Sequence, residues 1–378
     1  MRNLLYSVEK MVAFPVVEVW DRVTPMRVIS KIAEWHKLEK IHPYGNPECI
    51  RKEREWNEND KIQLSLICPL YNSEIYLETL LPCLLKQETE YGYEIIFVDD
   101  GSKDSAFAVI KSYCEKYPEK ISIIKQENMG IAEARNTGIN YAKGKYIGFI
   151  DHDDMIKKNY VQKLLETAIA EDADIVKCAI EEIEEGRVVA SSSKEYMNIS
   201  GAMKDELLTS IGYVWGGVYK RELFNRVSFP RGYWYEDMIG RSLLKRQSKK
   251  YIQLSDVLYI KVRSENNASR KIWSSKEYKC LEQLYLVKEI ISANEELKLG
   301  KDVYFYKALL KECSKTLAGR IQGLRVGDRK IVLYCVSDLM KELWKEEYDI
   351  ILNKKERLWN KAMLRNNFLI WTFLNMVY

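Results

Sequence analysis

No two of the eight cysteines lie closer than 15 positions, the spacing of Cys68 and Cys83. The Cys-x-x-Cys motifs of zinc sites and dithiol redox centres are therefore absent. Several cysteines sit inside apolar runs, where the thiol behaves as a small hydrophobe, so reduced thiols in a cytosol are expected rather than a disulfide scaffold. No stretch reaches the roughly 18 apolar residues that a membrane span needs; the nearest, Phe368–Tyr378, is too short. The first residues hold no sustained apolar segment and no clear cleavage site, so export is not expected. Charge of one sign is missing as well. The 59 Lys and Arg against 55 Asp and Glu leave only +4, which gives no global signature of nucleic-acid binding. There is no internal repeat and no low-complexity tract.

What is present is an ordinary globular composition, 47% apolar and 30% charged, on a 378-residue chain. That is enough for a large core with appendages. Residues 1–60 read as an extension. Val28, Ile32, Trp35 and Leu38 fit helical spacing until Pro43, Gly45 and Pro47 break it, and charge-dense Arg51–Lys61 reads as helix surface or linker. From Lys61 onwards strands and helices alternate. The strand-like runs are Ile62–Cys68, Tyr93–Val98, Ile121–Lys125, Tyr146–Ile150 and Ala173–Cys178. Between them lie a helix opened by Ser73 and the helices Asp104–Tyr117, Ile131–Ala142 and Asn159–Ala170. Glu181–Gly186 reads as a turn or hairpin. Pro82 predicts a kinked or shortened first helix. Such alternation implies a mostly parallel α/β sheet with helices on both faces, whose ligands bind beyond the carboxyl ends of the strands. Past residue 272 the pattern becomes helical.

Polar clusters stand at three of those carboxyl ends: Pro69, Asp99–Ser102 and Asp151–Asp154. On an extended backbone Asp151 and Asp153, two apart, point to one side and His152 to the other. Hard carboxylate oxygens of this kind suit Mg²⁺ or Mn²⁺ arriving with a substrate's phosphates. Taken singly, each cluster also has a plainer reading. Ser102 could cap a helix, Arg135 could lie on a solvated helix face, Asp151 and Asp153 could be turn acids, and Asp154 reads first as a helix cap.

Four segments in order carry a resemblance: Ser65–Asn72, Val98–Ser102, Glu127–Asn136 and Asp151–Asp154. The series over about residues 62–270 closely resembles the family 2 glycosyltransferases of bacterial polysaccharide synthesis, with a GT-A fold. The resemblance implies a GT-A domain over 61–271, and the helical pattern beyond it reads as a C-terminal helical subdomain over 272–378. It implies that Pro69 and Tyr71 pack on the nucleotide base, that Asp100 meets the uracil edge and that Arg135 lies near base and phosphates. Asp151 then contacts the ribose and, with Asp153, holds Mn²⁺ or Mg²⁺. Glu236–Asp237 resembles the family's Glu-Asp element, with Asp237 as catalytic base and Glu236 orienting or contacting the acceptor. An inverting transfer needs one such base for the attacking hydroxyl and a metal to offset charge on the departing diphosphate.

Trp215 and Trp234 could stack on sugar rings; core packing is the other reading for Trp215. Arg263 and Ser269 resemble a loop that closes on the diphosphate or acceptor. The basic residues Arg241, Lys245, Arg246, Lys249 and Lys250 read as solvated surface or as contacts to a lipid diphosphate or anionic membrane face. Lys354–Arg365 with the apolar end is either an interfacial anchor or packing for the helical subdomain. The implied partners are a nucleotide-sugar donor, a UDP-sugar first, and a carbohydrate or lipid-linked saccharide acceptor. The implied place is the cytoplasm, with peripheral contact to the inner face of the membrane. A nucleotidyltransferase or a non-catalytic sugar-nucleotide-binding scaffold are the competing classes.

Overall fold

Leu64–Leu70 buries all seven side chains, as a central strand covered on both faces must. Around it the computed structural model, which describes residues 31–56, 59–192, 197–200, 212–264 and 278–377, builds a sheet. The strands are β1 (Leu64–Leu70), β2 (Tyr93–Asp100), β3 (Ile121–Gln126), β4 (Tyr146–Phe149), β5 (Met155–Ile156), β6 (Ile175–Glu184), β7 (Arg187–Ser191), β8 (Met197–Ser200), β9 (Gly217–Lys220) and β10 (Lys250–Arg263). Their order is β3-β2-β1-β4-β9-β6-β10-β5, with β7 on β6 and β8 on β10. The pairs β1–β2, β2–β3, β1–β4 and β6–β10 are parallel. β9 runs antiparallel between β4 and β6. The fold is thus the mostly parallel α/β sheet expected of GT-A proteins.

The chain steps from β1 to β2 and β3 on one side, then crosses back to place β4 on the other. The crevice for ligands opens at this reversal, beyond the carboxyl ends of β1 and β4. Pro69 lies within β1, not after it. Ile67 accepts from Ile150 N on the β4 side, so Pro69, two residues on, turns its missing N–H to the same side. The β1–β4 ladder has already ended there, at Ile67↔Phe149, and no bond is lost.

Other local expectations are corrected. Ser73 caps nothing, and its hydroxyl is buried without a partner. The turn Glu74–Tyr76 is held instead by Asp104, which accepts from Glu74 N at 2.8 Å. Pro82 sits inside helix Leu77–Leu85, which is short and entered through that 3-10 turn. Residues 47–56 are neither helix nor linker. They run along 225–231, with Arg51 N, Arg54 N, Ser228 N and Arg231 N bonded to Arg226 O, Asn225 O, Cys49 O and Pro47 O. Arg54, buried, donates to the carbonyls of Phe224 and Val227. Burial first, then the charge of Arg51, pull its pKa down to about 9 against the opposing charge of Glu133.

Residues 47–264 form one compact unit; residues 31–46 with 278–377 form a second. In the second unit helix Lys31–Ile41 packs on Val326–Leu343. A reciprocal Asn353–Glu356 capping box opens helix Lys354–Leu364. Ile370, Trp371 and Leu374 of the last helix are buried, so that helix contributes core to the helical unit. Among the described residues no helix is long and apolar enough to cross a membrane.

Candidate active site at the carboxyl ends of β1, β2 and β4

The loops after β1 and β2 are stitched together. Asn72, at φ 47°, accepts from Lys103 N at 2.8 Å and donates its own N–H to Ser102 Oγ at 3.0 Å. Glu74 accepts from Ser105 N. Ser102 therefore joins two loops and does not cap a helix. Gly101, at φ 76°, sits where a Cβ would lie 3.0 Å from Asn128 N, so a side chain there is disfavoured by both backbone conformation and crowding. Tyr71 is 44% exposed at the rim, whereas Pro69 is buried, so of the two expected base contacts Tyr71 alone presents its ring to solvent.

Asp100 holds the segment that leads into helix Ile131–Tyr141. Its Oδ1 accepts from Gln126 Nε2 and Met129 N at 2.8 and 2.9 Å, and its Oδ2 from Gly130 N at 2.8 Å. A carboxylate offers about four acceptor positions, so one on Oδ2 remains for a ligand N–H.

Helix Ile131–Tyr141 then presents Arg135, which is 2% exposed. Nη2 donates to Asp151 Oδ1 at 2.9 Å and Nη1 to Glu236 Oε1 at 2.7 Å. Its guanidinium carbon lies 5.4 Å from the centre of the Phe229 ring. Burial alone would lower its pKa; the charges of Asp151 and Glu236 and their hydrogen bonds outweigh that and raise it. The next residue, Asn136, grips both ends of one residue's backbone, donating to Phe229 O at 2.9 Å and accepting from Phe229 N at 2.8 Å. Two neighbouring residues of one helix thus hold the segment that carries Glu236 and Asp237. Asp237 O accepts from Gly240 N at 2.9 Å, in the first turn of a helical segment that passes into a π turn at Gly240–Leu244. Such turns recur at functional sites. Tyr235, just upstream, has φ 67°, a strained value for an aromatic residue and one that clusters at such sites.

The acids after β4 are not extended. Asp154 N donates to Asp151 O at 3.1 Å, so Asp151–Asp154 is a tight turn, and His152 meets Tyr76 ring to ring at 5.4 Å. The ladder with β1 ends at Phe149, and nothing keeps the next residues straight. Asp154 is no helix cap either. Its Oδ2 accepts from the Tyr259 hydroxyl at 2.7 Å and its Oδ1 from Val262 N at 2.9 Å. Burial first, then the charges of Asp151 and Asp153, push Asp154 well above the usual carboxylate range. Burial also raises the Cys68 thiol at the end of β1, and the charges of Asp151, Asp153 and Asp154 add to it.

Among the described residues no group of three or more His, Cys, Asp or Glu side chains could cage a metal by themselves. Asp153 with the Asp151 carboxylate is a smaller donor set. A pair of this kind would suit an ion that takes one or two carboxylates and completes its shell with substrate phosphate and water, with Asp151 Oδ1 already accepting from Arg135.

The expected acceptor residues divide. Trp215 is 5% exposed and lies between Tyr213 and Tyr259, with centroids at 4.5 and 4.8 Å and rings nearly parallel to both. Trp215 is thus packed among aromatic rings, in keeping with the core-packing reading. Trp234 is half-buried, edge-on to Tyr235. Arg263, at the end of β10, pairs with Glu182. Ser269 lies outside the described residues. Of the basic stretch, Lys245 is buried over the Tyr251 ring and Lys250 pairs with Glu171 at 2.6 Å, so neither is free surface charge.

Lys177 is missing from the sequence-derived site, although a lysine within the apolar run Ile175–Ile180 could have marked it. Buried in β6, its Nζ donates to the carbonyls of Tyr213 and Trp215 and lies 3.4 Å from the Tyr219 hydroxyl. Burial drops its pKa to about 7. A cavity of about 850 Å³ lined by Tyr146, Asp174, Lys220 and Lys250 lies at the opposite ends of the strands, where Lys220 pairs with Asp172 and Asp174. It takes no part in this arrangement.

The family model for glycosyl transferase family 2 matches residues 65–228. The chain is 30% identical over 266 residues to glycosyltransferase GlyA of Streptococcus pneumoniae serotype 4, covering 67% of this chain and 38% of that protein. It is 29% identical over 227 residues to the minor teichoic acid biosynthesis protein GgaA of Bacillus subtilis, covering 56% of this chain and 50% of that one. The match thus spans half or less of either relative. Among solved structures, S. aureus TarS 1-349, crystallised with UDP-GlcNAc, superposes with a TM-score of 0.68 at 20% identity, over 83% of this chain and 91% of that one. At that identity the likeness speaks for the fold.

Proposed function

The chain carries a family 2 glycosyltransferase domain on a GT-A fold, and from that premise we propose that it moves a sugar, with inversion, from a nucleotide-diphosphate donor to a hydroxyl of a cell-envelope polysaccharide. The proposed donor is a UDP-sugar. The proposed acceptor is a carbohydrate or lipid-linked saccharide of the teichoic-acid kind, reached from the inner face of the envelope. The observation that carries the reading is the pair of bonds from Arg135 to Asp151 and Glu236. They draw the acids at the end of β4 and the Glu-Asp pair from a distant part of the chain into one cluster at the reversal of the sheet.

In this reading Tyr71 stacks on the base and the remaining lone pair of Asp100 takes its edge. Asp151 and Asp153 would hold Mn²⁺ or Mg²⁺, which supplies positive charge to the leaving diphosphate. Arg135 keeps Asp151 and Glu236 at a fixed separation. Asp237, beside Glu236, takes the proton of the attacking hydroxyl, and Trp234 offers a ring to the acceptor sugar. No residue here needs to act as a covalent nucleophile.

The test is purified protein with Mn²⁺ and a panel of nucleotide sugars. Metal-dependent release of UDP supports sugar transfer. Release of pyrophosphate would instead indicate a nucleotidyltransferase, and binding without turnover a scaffold.

A further inference from the structure

Two strands far apart in the chain meet at the acid turn. The turn carries the backbone from β4, in the middle of the sheet, to β5, which pairs with β10 at its edge through Tyr259↔Ile156 and Ile260↔Met155. The Tyr259 hydroxyl sits between the first and last residues of this turn. It donates to Asp154 Oδ2 at 2.7 Å and accepts from Asp151 N at 3.3 Å. Asp154 Oδ1 takes Val262 N, three residues further along β10. The turn is thus bolted to β10 at both of its ends by one phenol oxygen and one carboxylate.

The placement of Tyr259 is itself built. The β6–β10 register shifts between Val257 and Tyr259, an irregularity of the kind that re-aims a side chain next to a site. The ring is fully buried and stacked on Trp215, whose carbonyl Lys177 holds. Gly216, at φ 69°, supplies the left-handed backbone beside Tyr259, where a Cβ would stand in ordinary contact at 3.6 Å from the Tyr259 Cβ. Lys177, Trp215, Tyr259 and Asp154 therefore form a continuous buried column that ends under the acids.

We propose that Tyr259 is a positioning residue for the divalent cation: through Asp154 and the Asp151 amide it fixes the turn so that the carboxylates of Asp151 and Asp153 converge on one ion. This rests on the reading above that those two acids hold the metal. Tyr259 and Asp154 touch neither donor nor ion; both oxygens of Asp154 are engaged in holding the turn. Side chains that bind a metal well are commonly held by such outer partners, and losing one typically costs 10- to 100-fold in affinity.

Tyr259→Phe removes the hydroxyl and keeps the stacked ring. The measurement is UDP binding to the full chain by calorimetry across a Mn²⁺ titration, with the melting temperature recorded alongside. Tyr259→Phe should need about tenfold more Mn²⁺ for half-maximal UDP binding, while UDP binding without metal stays at the wild-type level. An unchanged Mn²⁺ requirement overturns the proposal, as does an equal loss of metal-free UDP binding, which would mark a general structural defect. The second arm uses Asp154→Asn with and without Tyr259→Phe. If the two act as one device, adding Tyr259→Phe to Asp154→Asn changes the Mn²⁺ requirement little; full additivity contradicts it. A wild-type protein whose UDP binding ignores Mn²⁺ rejects the metal assignment itself, and is distinguished from failure of the positioning role because it appears before any substitution is made.

Discussion

Asp151 and Glu236 are held by the same guanidinium: Arg135 reaches one at 2.9 Å and the other at 2.7 Å, through different nitrogens. One cation therefore sets the separation between the proposed metal side and the proposed base side of the crevice. A lysine has one charge centre and no planar fork, so it cannot span both acids in this way.

Arg135→Lys should lower transfer by at least 100-fold and cost about 2 kcal/mol of stability. That is below the roughly 3–5 kcal/mol for breaking a fully buried pair, because both carboxylates keep some solvent. Steady-state rates and a denaturant titration check this together. Wild-type rates with a lysine would remove Arg135 from the account.

Gly138 brings helix Ile131–Tyr141 close to β1. A Cβ there would lie 2.4 Å from Cγ2 of the buried Ile67. Alanine normally improves a helix interior by about 1 kcal/mol over glycine, but overpacking a core costs about 1–3 kcal/mol. The steric term wins at this distance. Gly138→Ala should therefore melt lower than wild type, and a higher melting temperature would show that the helix stands further from β1 than described.

Lys177 gives the fold a pH signature. Burial brings its pKa from 10.5 to about 7, and no carboxylate contacts its ammonium. Below pH 7 both folded and unfolded chains carry the proton, and the folded one bears the full cost of a buried charge. Between pH 7 and 10.5 the unfolded chain binds more protons than the folded one, so this lysine's contribution becomes more favourable as pH rises. The slope is at most about 1.4 kcal/mol per pH unit. The stability of wild type relative to Lys177→Met should accordingly increase from pH 7 to pH 9, by on the order of 2 kcal/mol. A gap that does not change with pH means that the lysine is charged and paired in the folded chain.

The sequence made the strands β1 to β4 legible because each is an apolar run closed by turn-forming or acidic residues. The tail of β6 was not legible as strand. Its Glu181–Glu184 pairs with β7 and β10 at partly solvated positions and breaks the apolar run. The hairpin was visible, and its turn falls at Glu185–Gly186, both at positive φ. β10 hides for the same reason: Gln253, Ser255 and Asp256 interrupt it. The site residues were visible as types and spacings, but their bonds were not. That Asp154 serves β10, that Trp215 stacks on Tyr259 and that Asn136 grips Phe229 all depend on partners 44 to 108 positions away, beyond any local pattern. The extended reading of Asp151–Asp154 failed because a strand of four residues ends where its ladder does.

The most direct test of the central claim separates donor binding from transfer in Asp237→Asn. An amide there keeps shape but cannot take the proton of an attacking hydroxyl. UDP-sugar binding in the presence of Mn²⁺ should stay at the wild-type level, with transfer reduced by at least 100-fold. UDP-sugar binding that collapses together with transfer, or transfer that continues at the wild-type rate, would contradict the assignment of a donor site on one side of Arg135 and a base on the other.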